Sequence, residues 1–106
     1  MTQNAYRQLR DTWARAVEEV LFRQVVLRFR KGVETQRLRE VVVEDVDYTL
    51  IDNGMTKCSN YSHDRASVAG VAVPDPAELL EDINTLDDWR KAIEQRSQEV
   101  RKKREA

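Results

Sequence analysis

The sequence predicts an all-α protein, a small bundle of about four helices in which the first and last helices are long. Apolar residues recur at spacings of three and four over long stretches, and charged residues, 35% of the chain, fill the positions between them. The 106 residues include only three Gly and two Pro, a composition that does not suit a turn-rich β-sandwich. We expect one domain over residues 1–106 with a single modest core.

The clearest periodicity predicts a first helix over residues 5–30. Its apolar stripe consists of Tyr6, Leu9, Trp13, Val17, Val20 and Leu21. Further along, the stretch LFRQVVLRF is apolar on more than one face, so we expect neighbouring elements on both sides. The cations Arg28, Arg30 and Lys31 suit the C-terminal end of a helix, and Gly32 is a plausible residue to end it.

The next segment, residues 35–51, is compatible with a strand or with helices. The run VVV and the alternation in VDYTLI favour a strand, but the sequence offers no second clear strand for pairing. We therefore predict two helices, over residues 35–43 and 46–62, with Thr35 and Asp45 as their caps.

The helix predicted over residues 46–62 has one apolar face, formed by Leu50, Ile51, Met55, Cys58 and either Tyr61 or Ser62. The pair Asn53-Gly54 is the weakest part of this predicted helix, because that dipeptide usually marks a turn.

The last helix is predicted over residues 76–103. Asp75 is placed to cap it, Pro76 suits its first position, and Glu78 completes a capping box. Acids crowd its first half and bases its end, as the helix dipole favours. The basic end, Arg101–Arg104, could contact phosphates. We favour the simpler interpretation that these bases form a solvated helix terminus that needs no binding partner. Its apolar stripe is formed by Leu79, Leu80, Ile83, Leu86, Trp89, Ile93 and Val100.

The stretch KCSNYSHD holds the chain's only cysteine, Cys58, and its only histidine, His63. Two such ligands are too few for zinc, and the chain has no glycine-rich loop followed by Lys and Ser or Thr to hold a phosphate. We expect no metal and no cofactor. Cys58 falls on the apolar face, which favours core packing over nucleophilic chemistry. Trp13 and Trp89 also lie on apolar stripes and are predicted core residues.

His63 stands where the predicted helix ends, in the company of Asn60, Ser62 and Asp64. In such polar surroundings a histidine can act as a general acid or base near neutral pH, and Asp64 could fix its tautomer. The simpler interpretation, which we favour, is a helix-terminal histidine stabilised by the dipole, with Asp64 beginning the turn.

Charge and hydropathy argue against a nucleic-acid-binding, membrane-spanning or secreted protein. The net charge of −1 gives no signature of nucleic-acid binding by the domain as a whole. The longest apolar runs have three residues, the N-terminus lacks the apolar run of a signal peptide, and a single cysteine forms no internal disulfide. We expect a soluble, cytoplasmic protein without a membrane partner.

Three stretches resemble the C-terminal end of large bacterial AAA-family ATPases of the SMC-like or ABC-like kind, which have relatives among anticodon nucleases and phage-defence systems. They are LRDTWARAVEEVLFRQVVLRFRKGVETQRLREV, GMTKCSNYSHD and VPDPAELLEDINTLDDW, which together cover most of the chain. The nucleotide-binding parts of such proteins lie upstream of this region. The resemblance implies a helical assembly or regulatory module with an ATPase core as its partner.

The chain also resembles HEPN domains, small helical bundles that often act as metal-independent ribonucleases. Their signature is an Arg followed after four to six residues by His; here Lys57 stands at the Arg position, five residues separate it from His63, and Asn60 and Asp64 lie beside that histidine. The resemblance implies that His63 takes a proton from a ribose 2′-hydroxyl while Lys57 stabilises charge on the phosphate, in a site formed across a homodimer. A lysine cannot grip phosphate with two parallel hydrogen bonds as arginine does.

Three functions follow from these observations. The leading hypothesis is a non-catalytic assembly module of a defence-type ATPase, and the second is a HEPN-type endoribonuclease acting on RNA. The third is a stand-alone helical adaptor that binds a protein partner.

Overall fold

A computed structural model describes residues 2–62 and 75–105, and every regular element in those two ranges is helical. The first element, α1, spans Thr2–Ala16 and continues as a π-helical stretch, Val17–Leu21. A 3-10 helix covers Thr35–Glu40, α2 covers Asp45–Ser62, and the 30-residue α3 covers Pro76–Glu105. The predicted class, a small all-α bundle with long first and last helices, is confirmed.

The core lies between α1, α2 and α3 and is built from the predicted apolar stripes. The buried apolar residues that form it are Tyr6, Leu9, Trp13, Ala16, Leu21, Cys58, Leu86, Trp89 and Ile93. Two aromatic pairs connect the helices: the ring centroids of Trp13 and Trp89 are 5.4 Å apart, as are those of Tyr6 and Tyr61. The expectation that Trp13, Trp89 and Cys58 are core residues is confirmed.

Gly54 lies inside α2, so the Asn53-Gly54 pair does not form a turn. A Cβ atom at Gly54 would lie 2.7 Å from Cε2 of Trp13. The glycine is therefore a packing residue, because its missing side chain lets the buried indole approach the backbone of α2.

The prediction of a helix over residues 5–30 is wrong beyond Leu21. Arg23 and Gln24 both adopt positive φ angles, 51° and 63°, and turn the chain away from the helix axis. The Gln24 N–H donates to the Glu18 carbonyl at 3.0 Å, and the Arg30 guanidinium donates to the carbonyls of Gln24 and Val25. Backbone groups released where the helix ends thus find partners within the turn.

The helix predicted over residues 35–43 is shorter and tighter than expected. It is a 3-10 helix that ends at Glu40, and Val41 is extended. The backbone of Glu34, not the side chain of Thr35, occupies its N-cap position. Gly32 ends no helix, since α1 and its π-helical continuation stop eleven residues earlier.

The starts of α2 and α3 lie close to the predicted positions. Asp45 is the first residue of α2 rather than its cap, and a neighbouring carboxylate, that of Asp47, accepts a hydrogen bond from the Glu44 N–H. At α3, Asp75 caps as predicted, because its carboxylate accepts a hydrogen bond from the Glu78 N–H at 2.9 Å. None of the described helices is both long and apolar enough to cross a membrane.

Candidate functional site

Lys57 lies on α2 and points its ammonium group at the first half of α3. Its Nζ is 3.0 Å from Oδ2 of Asp82 and 3.7 Å from Oε1 of Glu78. The Tyr6 hydroxyl of α1 donates to the same carboxylate of Asp82. One acid of α3 thus connects all three α-helices.

The electrostatics of this cluster hold Lys57 in its charged form. Partial burial alone lowers the pKa of the ammonium, but the hydrogen bond and the charge of Asp82 outweigh burial, so the net pKa is raised. The pKa of the Tyr6 hydroxyl is also raised, first by burial and then by its bond to Asp82. A phosphate that approached Lys57 would have to compete with Asp82 and Glu78 for the cation.

A cavity of about 120 Å³ adjoins this cluster, between Trp13, Gly54, Cys58 and the polar groups of Lys57 and Asp82. Pockets that enclose small-molecule ligands typically measure about 300–1,000 Å³. The cavity therefore has room for a few waters and not for a nucleotide.

Cys58 is a core residue with 1% of its surface exposed. Burial, reinforced by the negative charge of Asp82, raises the pKa of the thiol to about 11. Since the thiolate is the nucleophile, this environment suppresses cysteine chemistry at neutral pH.

Of the four residues predicted for a ribonuclease site, two lie in the described ranges. Lys57 and Asn60 are both on α2, where Asn60 is exposed to solvent. His63 and Asp64 lie outside the described residues, so the arrangement around the histidine stays a prediction. Within the described ranges, no three His, Cys, Asp or Glu side chains converge as a metal site would require.

A second polar cluster was not predicted from the sequence. Asp47 has no exposed surface, and its carboxylate accepts hydrogen bonds from both terminal nitrogens of Arg96, at 2.7 and 3.1 Å, and from Nε1 of Trp89 at 3.0 Å. The signal in the sequence is periodicity: Asp47 precedes Leu50 by three residues and Ile51 by four, which places it on the apolar face of α2. A carboxylate on such a face needs buried donors.

The pKa of Asp47 reflects the competition between burial and these donors. Burial alone raises the pKa of the carboxyl group, but hydrogen bonds from Arg96, from the Glu44 N–H and from Trp89 together lower it below the ordinary value. Asp47 is thus a buried, charged anchor that fixes the beginning of α2 to α3.

The remaining surface feature is the basic segment, residues 22–43, which connects the π-helical stretch to α2. It contains six bases and two acids, a net charge of +4 in a chain whose total is −1. It is also apolar at its surface: Phe29 is 98% exposed, and the other large apolar side chains exposed there are Phe22, Val26, Val33, Leu38 and Val43.

Part of this surface is concave. An apolar groove of about 360 Å³ is lined mainly by apolar residues of the π-helical stretch and the basic segment, with Glu18 as its one charged residue; the apolar ones are Val17, Phe22, Val25, Val26, Leu38 and Val41. Contiguous exposed apolar surface of this kind is typical of protein–protein contact sites.

No protein-family model, curated protein or solved structure matches the chain.

Proposed function

We propose that the chain is a non-catalytic helical assembly module that binds a protein partner through the basic segment. The observation that carries this proposal is the concentration of exposed large apolar side chains on that segment, with Phe29 almost fully in solvent. Leaving such side chains in water has a free-energy cost of about 1.5–3 kcal/mol each relative to full burial. A partner that covers them recovers that free energy.

The resemblance to C-terminal regions of large bacterial ATPases suggests the larger assembly in which the module acts. In that setting the module belongs with an ATPase core of the defence type, and its own lack of a phosphate-binding loop is expected. A stand-alone adaptor would use the same surface with a different partner.

Site-specific photo-crosslinking in cells tests the proposal. A benzophenone amino acid at position 29 should give a discrete crosslinked protein, and the same probe at Thr56, which is exposed on α2 outside the basic segment, is the matched control. Mass spectrometry of the product shows whether the partner carries a phosphate-binding loop, as the ATPase assignment requires. Equal crosslinking at positions 29 and 56 would rule out a binding surface on the basic segment.

The ribonuclease hypothesis makes a separate prediction. If the chain cleaves RNA, His63→Ala should abolish cleavage of a single-stranded RNA by the purified protein, and Lys57→Ala should reduce it strongly. The ion pairs that hold Lys57 to Asp82 and Glu78 give the lysine a structural role, so we rank this function below assembly. RNA that stays intact with the unsubstituted protein would eliminate it.

A further inference from the structure

The chain bends after Leu21 although its helical pattern continues. Four exposed apolar side chains follow the bend at spacings of four, three and four residues: Phe22, Val26, Phe29 and Val33. On a continued α-helix this spacing would place all four on one face. In the bent chain they share no helix, because residues 22–34 form only turns and irregular structure.

The residues that suit the end of a helix stand at positions 28–32 rather than at Leu21. They are the cations Arg28, Arg30 and Lys31, followed by Gly32. The bent chain does not require this glycine: its φ angle lies outside the left-handed region, and a Cβ atom added there would meet nothing within 4 Å. A helix that ended at Lys31 would use Gly32 as the residue after its last turn.

The bend itself is strained. Arg23 and Gln24 adopt consecutive positive φ angles, 51° and 63°, a conformation that is unfavourable for residues with a Cβ atom. The turn before them, Val17–Leu21, is π-helical, a rare form that is frequent at functional sites. Such a conflict between residue type and conformation persists only where other contacts enforce it.

The contacts that enforce the bend lie near the surface. The Arg28 guanidinium is 3.1 Å from the Glu18 carboxylate, with 61% of the arginine side chain exposed, and exposed ion pairs contribute little to stability. Ten residues of continuous helix would separate these two positions by about 15 Å, so the pair exists only in the bent chain. Of residues 22–34 only Val25 is buried, and it lies outside the core cluster between the three helices. The segment can therefore change conformation without opening the core.

We propose that residues 22–31 are a conformational switch: in a second state α1 continues as one helix to Lys31, and Gly32 ends it. In that state the four exposed apolar side chains form a single stripe, the form in which an amphipathic helix enters the apolar groove of a partner protein. The switch deepens the proposed function, and its role in binding rests on that function. The bent chain is the unbound state, and the partner shifts the population toward the helix.

A distance measurement on the purified chain tests the switch. Spin labels are attached at Asp11→Cys and Lys31→Cys, both exposed positions, while the native Cys58 is buried. A continuous helix separates the labelled positions by about 30 Å. The bent chain folds back through the contact of Arg28 with Glu18 and should give a clearly shorter distance. Pulsed electron paramagnetic resonance measures the ratio of the long to the short distance.

Substitutions at two positions should move that ratio in known directions. Gln24→Ala should raise the long-distance population and Gln24→Gly should lower it, with a difference of at least about tenfold between the two variants, because glycine accepts a positive φ and disfavours a helix. Gly32→Ala should also lower the long-distance population, since it removes the residue that ends the helix. Thr56→Ala, exposed on α2, is the control and should leave the ratio unchanged.

One short distance in every variant, Gln24→Ala included, would overturn the switch. A broad range of distances with fast hydrogen exchange throughout residues 22–31 would also overturn it, because the segment would then unfold rather than become helical.

Photo-crosslinking from position 29 tests the role in binding separately. Gln24→Ala should increase the yield of the crosslinked partner and Gln24→Gly should decrease it. The reverse order would show that the bent chain binds and would overturn the assignment of the helix as the binding state. Two distances that respond to the substitutions, with no crosslinked partner at all, would eliminate the proposed function and support the switch.

Discussion

Asp47 is a carboxylate without solvent contact, and four hydrogen bonds compensate for its lost hydration. They come from two nitrogens of Arg96, from Nε1 of Trp89 and from the Glu44 N–H. Arg96 is partly exposed and also lies 3.3 Å from the Glu44 carboxylate, whereas the Asp47 carboxylate is fully buried and depends on its donors. The position of α2 on α3 therefore depends on this one side chain.

Asp47→Asn should lower the free energy of unfolding by about 2 kcal/mol, because it replaces the buried carboxylate that accepts from Arg96 and Trp89 with a neutral amide, while Glu44 stays within 3.3 Å of Arg96. Urea unfolding followed by circular dichroism measures the change. The matched control is Asp52→Asn, an exposed position on the same helix, which should change stability by no more than about 0.5 kcal/mol. Similar losses in both variants would contradict the role assigned to Asp47.

The difference between wild type and Asp47→Asn should also depend on pH. The folded-state pKa of Asp47 is lowered, so its contribution is fully present above the unfolded value of about 3.9 and is lost as the pH falls through the folded pKa. Urea midpoints measured from pH 7 to pH 3 should show a constant gap above about pH 5 and a shrinking gap below about pH 4. A gap that widens in acid would reverse the sign assigned here.

Cys58 should be nearly inert in the folded protein. With a thiol pKa of about 11, only about one molecule in a thousand carries the thiolate at pH 8, and burial blocks the reagent as well. Ellman's reagent should react at least about 100-fold more slowly with the native chain than with the chain in guanidinium chloride. Comparable rates in the two states would place the thiol at the surface.

At the scale of the helices, the close approach of α1 and α2 depends on Gly54. Gly54→Ala would normally stabilise a helix by about 1 kcal/mol, but the added methyl group would meet the Trp13 ring, with its Cε2 2.7 Å away. We expect the clash to dominate and a net loss of about 1 kcal/mol in thermal or urea unfolding. The control is Asn53→Ala, because Asn53 is exposed one residue earlier on the same helix, and it should leave stability unchanged or raise it slightly. A Gly54→Ala protein more stable than the wild type would show that the Trp13 indole does not pack against position 54.

The helices also show which parts of the fold local sequence determines. The beginning of α3 was predicted because Asp75 and Pro76 are local signals that need no tertiary contact. The end of the first helix was not predicted, since neither arginine nor glutamine is a residue type that indicates a positive φ angle, and Arg23 and Gln24 both adopt one. The turn is held by the Arg30 guanidinium and by an ion pair between Arg23 and Glu40, seventeen residues apart.

In the candidate site, too, the residues can be found from local sequence, but their environment depends on tertiary contacts. Lys57 and Cys58 could be singled out from the sequence, but their environment comes from Asp82, 25 residues from Lys57, and from Tyr6 on α1. Without those partners, periodicity alone places Cys58 in the core and leaves Lys57 available to a phosphate. The charge separation along α3, in contrast, was visible in the sequence because helix rise is constant.

At the scale of the whole molecule, the end of α3 organises the basic segment. Arg104 donates to the Leu38 carbonyl inside the 3-10 helix and to the Val41 carbonyl directly after it, and Arg39 lies 3.3 Å from Glu105. These contacts join residues more than 60 positions apart in the chain. The shape of the apolar groove therefore depends on the last turns of the chain.

Arg104→Ala should loosen this end without unfolding the core. Hydrogen exchange followed by mass spectrometry should show faster exchange of the backbone amides in residues 35–43 and unchanged exchange in α1. The reason is that the carbonyls of Leu38 and Val41 lose the hydrogen bonds that Arg104 donates to them. Lys103→Ala, exposed on the preceding position, is the control and should leave both regions unchanged. Uniformly faster exchange over the whole chain would instead make Arg104 part of the global folding unit.

The Trp13–Trp89 contact has an optical consequence. These are the only two tryptophans of the chain, and their rings are tilted by 38° at a centroid separation of 5.4 Å. Transition dipoles this close interact, so the folded chain should show an exciton couplet in its ultraviolet circular dichroism. Because one chromophore belongs to α1 and the other to α3, the couplet is a label-free gauge of whether these two helices are in contact.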